Sequence, residues 1–553
     1  MENQTNTISQ YLVKRLEETG LKHIFGVPGD YVLDFIDDIT ESSIQWIGNC
    51  NELNAGYAAD GYARYTGLCA AVVTYGVGAF SILNALAGAY AEQVPLLLIS
   101  GAPASARRLS NTLMHHLIHD YMLQYDVFRK VTIDAAFLTN PQTATEEIDR
   151  VITNCIVHKR PVYLELPMDS VKIPCSVPKP IRFSIEKTSD HQSLKACSEE
   201  VAGMINNAKN PVILVGAEVL RSGITEQVLS FIERSELPFA TTASSKSSLP
   251  EFHPQFIGLY MGSISKEYVK RQIEDSDCVL SLGVWMTDFD TGAFTTKIDE
   301  RNIIKCNADQ VLMHHHYYHQ ILIKDLLDEL TSIIHARQFI ESRPQKPYIP
   351  SREYTAVPEK MIIASRFYEK INSILNDDVI LIADTGDAIF ACSELQIEEP
   401  ENFLGQPYYL SIGYSTPASL GVSLARPKKR TMIITGDGAF QMTAQELSTH
   451  FRNNTNPIFF LINNEGYTIE RFLHKDNVYN DIQNWRYHKL PQVFGDNFIS
   501  FDVYTEGELE IAIDSVLKTK DKLGFIEVHI DKLDCSDLLK NFAENLKNLA
   551  KKK

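Results

Sequence analysis

The sequence predicts an α/β protein built as three doubly wound parallel-sheet domains. Short, almost wholly apolar runs such as TMIIT and IFFLI alternate with helical stretches, the pattern of strands covered on both faces of a parallel sheet. Two loose, proline-rich stretches, residues 174–180 and 341–358, cut the 553-residue chain into three pieces. Each piece has the roughly 100–200 residues of a single domain. The expected domains are 1–180, 190–345 and 358–553.

The elements follow in order. Residues 7–20 read as an amphipathic helix closed by glycine. Residues 23–27 form a short strand, 53–65 a helix, 70–75 a buried strand, 79–92 a helix and 95–100 another strand. The second block opens on NPVILVGAEV from Asn210 and continues through strands at 278–284 and 302–307. The third carries strands at 378–383, 430–435, 458–462 and 524–530.

Composition narrows the function. The apolar fraction is 44%, ordinary for a globular protein. Net charge is −18, from 52 basic and 70 acidic side chains. A field of that sign repels nucleic acid and anionic membranes, so neither is expected as a partner. The nine cysteines are scattered with no CxxC pair, the usage of reduced thiols in a cytoplasmic protein. The opening MENQTNTISQ has neither a basic start nor an apolar stretch, so no secretory leader is expected.

The richest stretch is GDGAFQMTAQELSTHFRNNTNPIFFLINNEGYTIE, beginning at Gly436. Asp437 and Asn464 lie 27 positions apart, room for one strand, one crossover helix and the next parallel strand. Both then sit at the carboxyl ends of neighbouring strands, where open α/β sheets bind ligands. The flanking glycines permit a sharp turn and close approach of backbone N–H groups to an anion. A carboxylate, an amide oxygen and a backbone carbonyl form a hard oxygen site suited to Mg²⁺ and phosphate. A glycine turn followed by an asparagine-capped loop is the plainer alternative.

The composite resembles the thiamine diphosphate signature, GDG followed by NN. The resemblance implies Mg²⁺ held by Asp437, Asn464 and the backbone oxygen of Gly466. It implies cofactor contacts from Gly438, Ala439, Tyr467, Thr468, Ile469 and Thr385. In CNELNAGYAADGYAR it implies Glu52 as the carboxylate that activates the aminopyrimidine. In LSIGYS it implies Ile412 as the support of the bent cofactor. The Leu410 carbonyl is the expected acceptor for the ring amine, although glycine is usual at that place.

The resemblance sharpens toward the 2-keto acid decarboxylases, the pyruvate, indolepyruvate and branched-chain enzymes. VPGDYVLDF supplies Asp30, the HH pair His115 and His116, and GYTIE Glu470; YNDIQNWRY and DCSDLLKNF match late parts of the group. The resemblance implies Asp30, Glu52, His115, His116 and Glu470 as the catalytic set. Glu470 is expected to be buried, with a raised pKa. The implied substrate pocket comprises Phe289, Ala388, Ile389, Phe390, Ile469, Leu473 and Phe542. Phe289, Thr385 and Ile469 look like a pyruvate-type pocket, and Ala388 leaves more room. Small and medium aliphatic 2-keto acids are the expected substrates; indolepyruvate or phenylpyruvate decarboxylation and thiamine-dependent carboligation are the alternatives. The family's site joins the first block of one subunit to the third of another, so a homodimer at least, and a homotetramer as a dimer of dimers, is expected.

Other signals weigh less. TYGVGAFS hints at a dinucleotide turn, but Ser81 stands where the third glycine belongs. MHHHYYHQ clusters four histidines and reads as a solvated loop. His115 and His119 have the spacing of a zinc-protease pair, but His116 occupies the glutamate position. The terminal KNFAENLKNLAKKK reads as an amphipathic helix with a frayed basic end.

Overall fold

The computed structural model describes residues 6–110, 112–175, 187–335 and 352–551. Three large sheets and one separate two-stranded pair make up the described chain. The first has six parallel strands in the spatial order Gln45–Gly48, His23–Gly26, Cys69–Val73, Leu96–Ala102, Val162–Pro167 and Asp134–Phe137. The third repeats that order: Phe403–Leu404, Val379–Ala383, Arg430–Gly436, Ile458–Asn463, Leu523–His529 and Phe498–Val503. In both, the first strand in the chain has its successor on one side and the third strand on the other. That reversal opens a crevice at the carboxyl ends of the strands.

Local sequence accounts for the elements. Thr7 caps the Ile8–Glu18 helix through a reciprocal capping box with Gln10. Asn51 caps Glu52–Thr66, and Gly67 at φ 84° ends it. The strands Cys69–Val73, Leu96–Ala102 and Ile458–Asn463 are buried at every position, as parallel strands covered by helices on both faces must be.

Two expectations need correction. The MHHHYYHQ stretch is not a simple loop. Gln310–Met313 and His316–His319 form an antiparallel hairpin at the edge of the middle sheet. That sheet is therefore mixed, and its five parallel strands run Phe256–Tyr260, Phe239–Thr242, Pro211–Val215, Cys278–Leu282 and Ile303–Asn307. Edge strands tolerate such polar side chains because one side faces water; His316 meets Glu200 at 3.1 Å. The expected linker at 174–180 begins as a short strand, Pro174–Cys175, paired with Asn6–Thr7. Residues 176–180 and 341–351 lie outside the described residues. Among the described residues, no helix is long and apolar enough to cross a membrane.

The first and third units meet helix to helix. Glu52–Thr66 packs on Ser415–Ala425 with the two backbones almost touching. A Cβ on Gly421 would lie 1.9 Å from the Ala58 carbonyl oxygen, and one on Gly61 2.4 Å from that of Ala418. Polar groups lock the contact: Arg64 pairs with Asp60 at 2.6 Å, and the Tyr414 hydroxyl donates to Asp60 at 2.5 Å. Gly421→Ala should lower the midpoint of urea unfolding, with a cost of about 1–3 kcal/mol from overpacking against backbone. An unchanged midpoint by circular dichroism would mean that the helices do not pack in this register.

Candidate functional site

The crevice of the first sheet collects the proton-handling side chains. Asp30 follows the His23–Gly26 strand, and Gly76 follows Cys69–Val73. His115 Nε2 lies 2.7 Å from Asp30 Oδ2. The His115 ring stacks on Tyr31 at 4.8 Å and meets His116 edge-on at 4.8 Å. The Tyr31 hydroxyl donates to the His115 carbonyl at 3.2 Å. His116 has φ 67°, and its Nδ1 is buried without a hydrogen-bond partner. Gly76 serves this corner: a Cβ there would meet the His116 carbonyl oxygen at 2.4 Å. The stretch read as a possible dinucleotide turn thus makes room for a histidine.

A polar chain backs the corner. Gly76 N–H donates to Gln124 Oε1 at 2.7 Å, and Gln124 Nε2 donates to the Tyr163 hydroxyl at 2.7 Å. That hydroxyl donates to Glu165 at 2.8 Å, and Arg108 pairs with Glu165 at 3.2 Å. Burial pushes the Glu165 carboxyl up to about 7.

The crevice of the third sheet collects oxygens. Asp437 is buried at the end of Arg430–Gly436, where the Asp437–Thr443 helix begins. Its Oδ1 accepts from Gly438 N–H at 2.7 Å and its Oδ2 from Gly466 N–H at 3.2 Å. Burial still pushes the carboxyl up to about 7. The Asn464 amide oxygen faces the Gly466 carbonyl oxygen at 3.1 Å and Asp437 Oδ1 at 3.3 Å. Three acceptors facing one another need either a cation between them or the amide turned over. In the turned orientation the amide nitrogen donates to both oxygens, and the amide oxygen accepts from Thr468 Oγ1 at 2.9 Å. Oxygens of one octahedral magnesium shell lie about 3 Å apart, from bonds of 2.0–2.1 Å, so the donor set fits a hard divalent ion.

The turn around this group is tightly built. Gly466 has φ 131°, and a Cβ there would meet the Asn480 carbonyl oxygen at 2.0 Å. A Cβ on Gly438 would meet the Tyr467 ring at 2.6 Å. The buried Arg471 guanidinium donates to the carbonyls of Asn464 and Glu465 and pairs with Asp481 at 2.6 Å. Ala439 and Thr468 are buried beside these groups.

Between the crevices runs the Leu410–Ile412 turn. Leu410 has φ 56°, a left-handed conformation that costs a residue with a Cβ about 1–2 kcal/mol and explains why glycine is usual there. Its side chain packs on the third unit's core. The buried Asp384 carboxylate orders the following residues. It accepts from Gly413 N–H at 3.1 Å and from Ser415 N–H and Oγ at 3.2 and 2.5 Å. Thr385 Oγ1 beside it is buried without a partner, a polar atom suited to an absent group. From the first unit, the Tyr57 hydroxyl meets Ser411 Oγ at 2.5 Å.

Glu52 opens its helix, half-buried, with Oε1 against Gly78. The buried Glu446 of the third unit ties that helix end down. It accepts from Asn49 Nδ2 at 2.8 Å, Asn54 Nδ2 at 2.7 Å and Cys50 N–H at 3.3 Å. Among the described residues, no hydrogen bond or ion pair joins Asp30, Glu52, His115 or His116 to Asp437, Asn464 or Glu470. Glu470 is exposed within this chain, whereas a buried carboxyl was expected; the Thr468–Leu473 helix that carries it is only one turn and a half long and presents it outward.

The pocket residues split. Phe289, Phe390 and Phe542 are buried and form an aromatic cluster, with ring centroids 4.9 Å apart for Phe289–Phe390 and 5.0 Å for Phe390–Phe542. Ala388 and Ile389 are buried in the same core, and Ile469 packs against it. Phe472 joins that core, while Leu473 is half-buried outside it. Asp387 holds the helix bearing Phe542 by accepting from Ser536 N–H at 3.0 Å. Sequence reasoning missed Asp384, Arg471, Glu446 and the Gln124–Tyr163–Glu165 chain. Their common signal is a polar residue stranded in an apolar run, which is informative only once its partners are known.

Comparison with known proteins agrees with this geometry. Three family descriptions match in succession. They are "Thiamine pyrophosphate enzyme, N-terminal TPP binding domain" over residues 6–125, the central domain of the same enzymes over 198–331, and their C-terminal TPP binding domain over 384–528. An alpha-keto-acid decarboxylase of Mycobacterium leprae is 36% identical over 541 residues, 96% of this chain and 94% of the relative. A pyruvate decarboxylase of Candida albicans is 35% identical over 551 residues, 96% of each chain. Pyruvate decarboxylase isozyme 3 of Saccharomyces cerevisiae is 33% identical over 548 residues, 96% of this chain and 97% of that one. With these matches over most of its length, the chain belongs to the thiamine pyrophosphate enzyme family.

Proposed function

We propose that the protein is a thiamine diphosphate-dependent 2-keto acid decarboxylase, converting small and medium aliphatic 2-keto acids, pyruvate included, to aldehyde and CO₂. The observation that carries this reading is the Asp30–His115–His116 group, which can hold and move protons, in a chain that also has the Asp437–Asn464–Gly466 oxygen set. Mg²⁺ held by that set would anchor the diphosphate, with the N–H groups of Gly438 and Ala439 and the Tyr467–Ile469 segment alongside. The bound cofactor supplies an electron sink for the bond that CO₂ leaves behind.

The chain's own residues do the rest. Glu52 would hydrogen-bond the aminopyrimidine and favour its reactive tautomer. The Leu410 carbonyl would accept from the ring amine, and Ile412 would support the cofactor. His115 Nε2, paired with Asp30, holds a proton for delivery to the carbon that loses CO₂. His116 Nδ1, without a hydrogen-bond partner among the described residues, is placed to bind the substrate's oxygen. Glu470 joins this relay once covered.

Covering requires a second copy. Asp30 and His115 are more than half exposed, yet decarboxylation gains from a dry site. Leu109 and Leu113, close in sequence to the histidine pair, are 90% and 89% exposed, an apolar surface suited to burial in an interface. A homodimer uniting Glu52 of one chain with Asp437 of the other, paired again into a tetramer, accounts for both. Nine cysteines without a disulfide among the described residues support a cytoplasmic setting.

The deciding experiment is aldehyde release from pyruvate, 2-ketoisovalerate, 2-ketohexanoate, phenylpyruvate and indolepyruvate with thiamine diphosphate and Mg²⁺. Fastest turnover on the aliphatic acids is expected; acetolactate as the main product would favour carboligation instead. Glu52→Gln should retain the cofactor in a calorimetric titration but lose about 10²–10⁴-fold in kcat; unchanged kcat would remove its role. Phe542→Ala should raise kcat/KM for 2-ketohexanoate relative to pyruvate by about tenfold or more. No change in that ratio would move the pocket elsewhere. Light scattering should give at least twice the 62.4 kDa chain mass, with Leu113→Asp lowering assembly and turnover together. A fully active monomer would refute the shared site.

A further inference from the structure

A second group of ligating side chains lies on one face of the third sheet, apart from the residues assigned above. Glu527 and His529 are two positions apart on the Leu523–His529 strand, so they share a face. Asp502, on the neighbouring Phe498–Val503 strand, is the register partner of Glu527. His488 reaches the same point from the one-turn helix Tyr487–Lys489.

The distances converge on one volume. His488 Nδ1 lies 2.7 Å from Glu527 Oε2 and 3.6 Å from Asp502 Oδ2. His529 Nε2 lies 2.7 Å from Asp502 Oδ1 and 3.6 Å from Glu527 Oε1. Two nitrogens and two carboxylates therefore alternate around a ring. His488, Asp502 and Glu527 offer ligand atoms within 4.8 Å of one another, close to the spacing of about 3.4 Å between ligands of a tetrahedral zinc ion bonded at 2.0–2.2 Å, with water in the fourth position.

We infer that His488, Asp502 and Glu527 form a structural site for a borderline transition-metal ion of the Zn²⁺ type, with His529 holding Asp502 from outside, clamping the two sheet-edge strands to the Tyr487–Lys489 turn. The donor set is that of zinc rather than of magnesium, whose shell is all oxygen. Outer contacts hold the ligands in place, as metal sites require. Asn463 Nδ2 donates to Glu527 Oε1 at 2.7 Å, His488 N–H donates to Glu527 Oε2 at 2.8 Å, and the His529 ring stacks on Tyr504 at 3.9 Å, tilted by 4°. Access exists: the side chains of His488, His529 and Asp502 are 24%, 21% and 34% exposed, with Glu527 at 2% forming the floor.

The test uses the full chain saturated with thiamine diphosphate and Mg²⁺, and Co²⁺ or Zn²⁺ alone as probe. One equivalent of Co²⁺ with the intense visible bands of a four-coordinate centre is expected, displaced by one equivalent of Zn²⁺. His488→Gln/His529→Gln should abolish those bands, and Asp502→Asn, at the exposed rim, should weaken Co²⁺ binding about 10-fold or more. Absence of four-coordinate bands in the wild type, or their persistence in the double variant, would overturn the site. Zn²⁺ should also raise the unfolding temperature of the wild type but not of Asp502→Asn. The readouts are spectroscopic and thermal, so they stand whether or not the chain decarboxylates keto acids.

Discussion

The contact of the Glu52–Thr66 helix with the Ser415–Ala425 helix governs the geometry of the rest. Glycines at positions 61 and 421 bring the two backbones to a distance that no Cβ would allow. That proximity brings the Tyr414 hydroxyl onto Asp60, which also pairs with Arg64 one turn along its own helix, in a buried space where each charge must be compensated. Glu92 extends the network. It pairs with Arg64 at 3.6 Å and accepts from the N–H groups of Tyr408 and Tyr409 at 2.9 and 3.0 Å. From the middle unit, Arg221 reaches Glu92 at 3.5 Å. One buried carboxylate thus meets side chains or backbone of all three units and holds the segment leading to Leu410.

The same contact orients Glu52. Its helix is pinned at the start by Glu446 and along its length by the Ser415–Ala425 helix. Turning the helix by one residue would swing Glu52 by about 100°, given 3.6 residues per turn, and would drive a larger side chain into the Ala58–Gly421 gap. Fixing the glutamate and packing the two units are therefore one constraint, which is why the helix carries so many small residues and so little amphipathic pattern.

Much of this was legible before the coordinates. The apolar runs locate several strands of each sheet to within a residue or two, because a strand buried on both faces must be apolar throughout; Val162–Pro167, Phe239–Thr242 and Phe498–Val503 are not among those read. Thr7 and Gly20 bound the first helix, one through its capping side chain and the other through its left-handed backbone at φ 84°. GDG and NN could be read because the turn, the anion cradle and the oxygen donors all leave local traces. Glu446 could not, because its partners lie almost 400 positions away, and neither could Asp384 or Arg471, whose roles exist only across a folded turn. The edge strand at His316–His319 escaped because an exposed polar strand carries no apolar alternation. The outward placement of Glu470 escaped for another reason: a single sequence does not say which surfaces of the folded chain stay wet.

The first and third sheets share one strand order, six strands each, and each opens its crevice at the equivalent place. The chain therefore carries two versions of a single architecture that have divided their labour. In the proposed reading, one crevice moves protons and the other binds a metal ion and a diphosphate. Such a division lets each half drift in sequence under its own chemical demand while the shared framework keeps their spacing. A ligand long enough to need both kinds of group then acts as a ruler, and only pairings of halves that match its length survive as working enzymes.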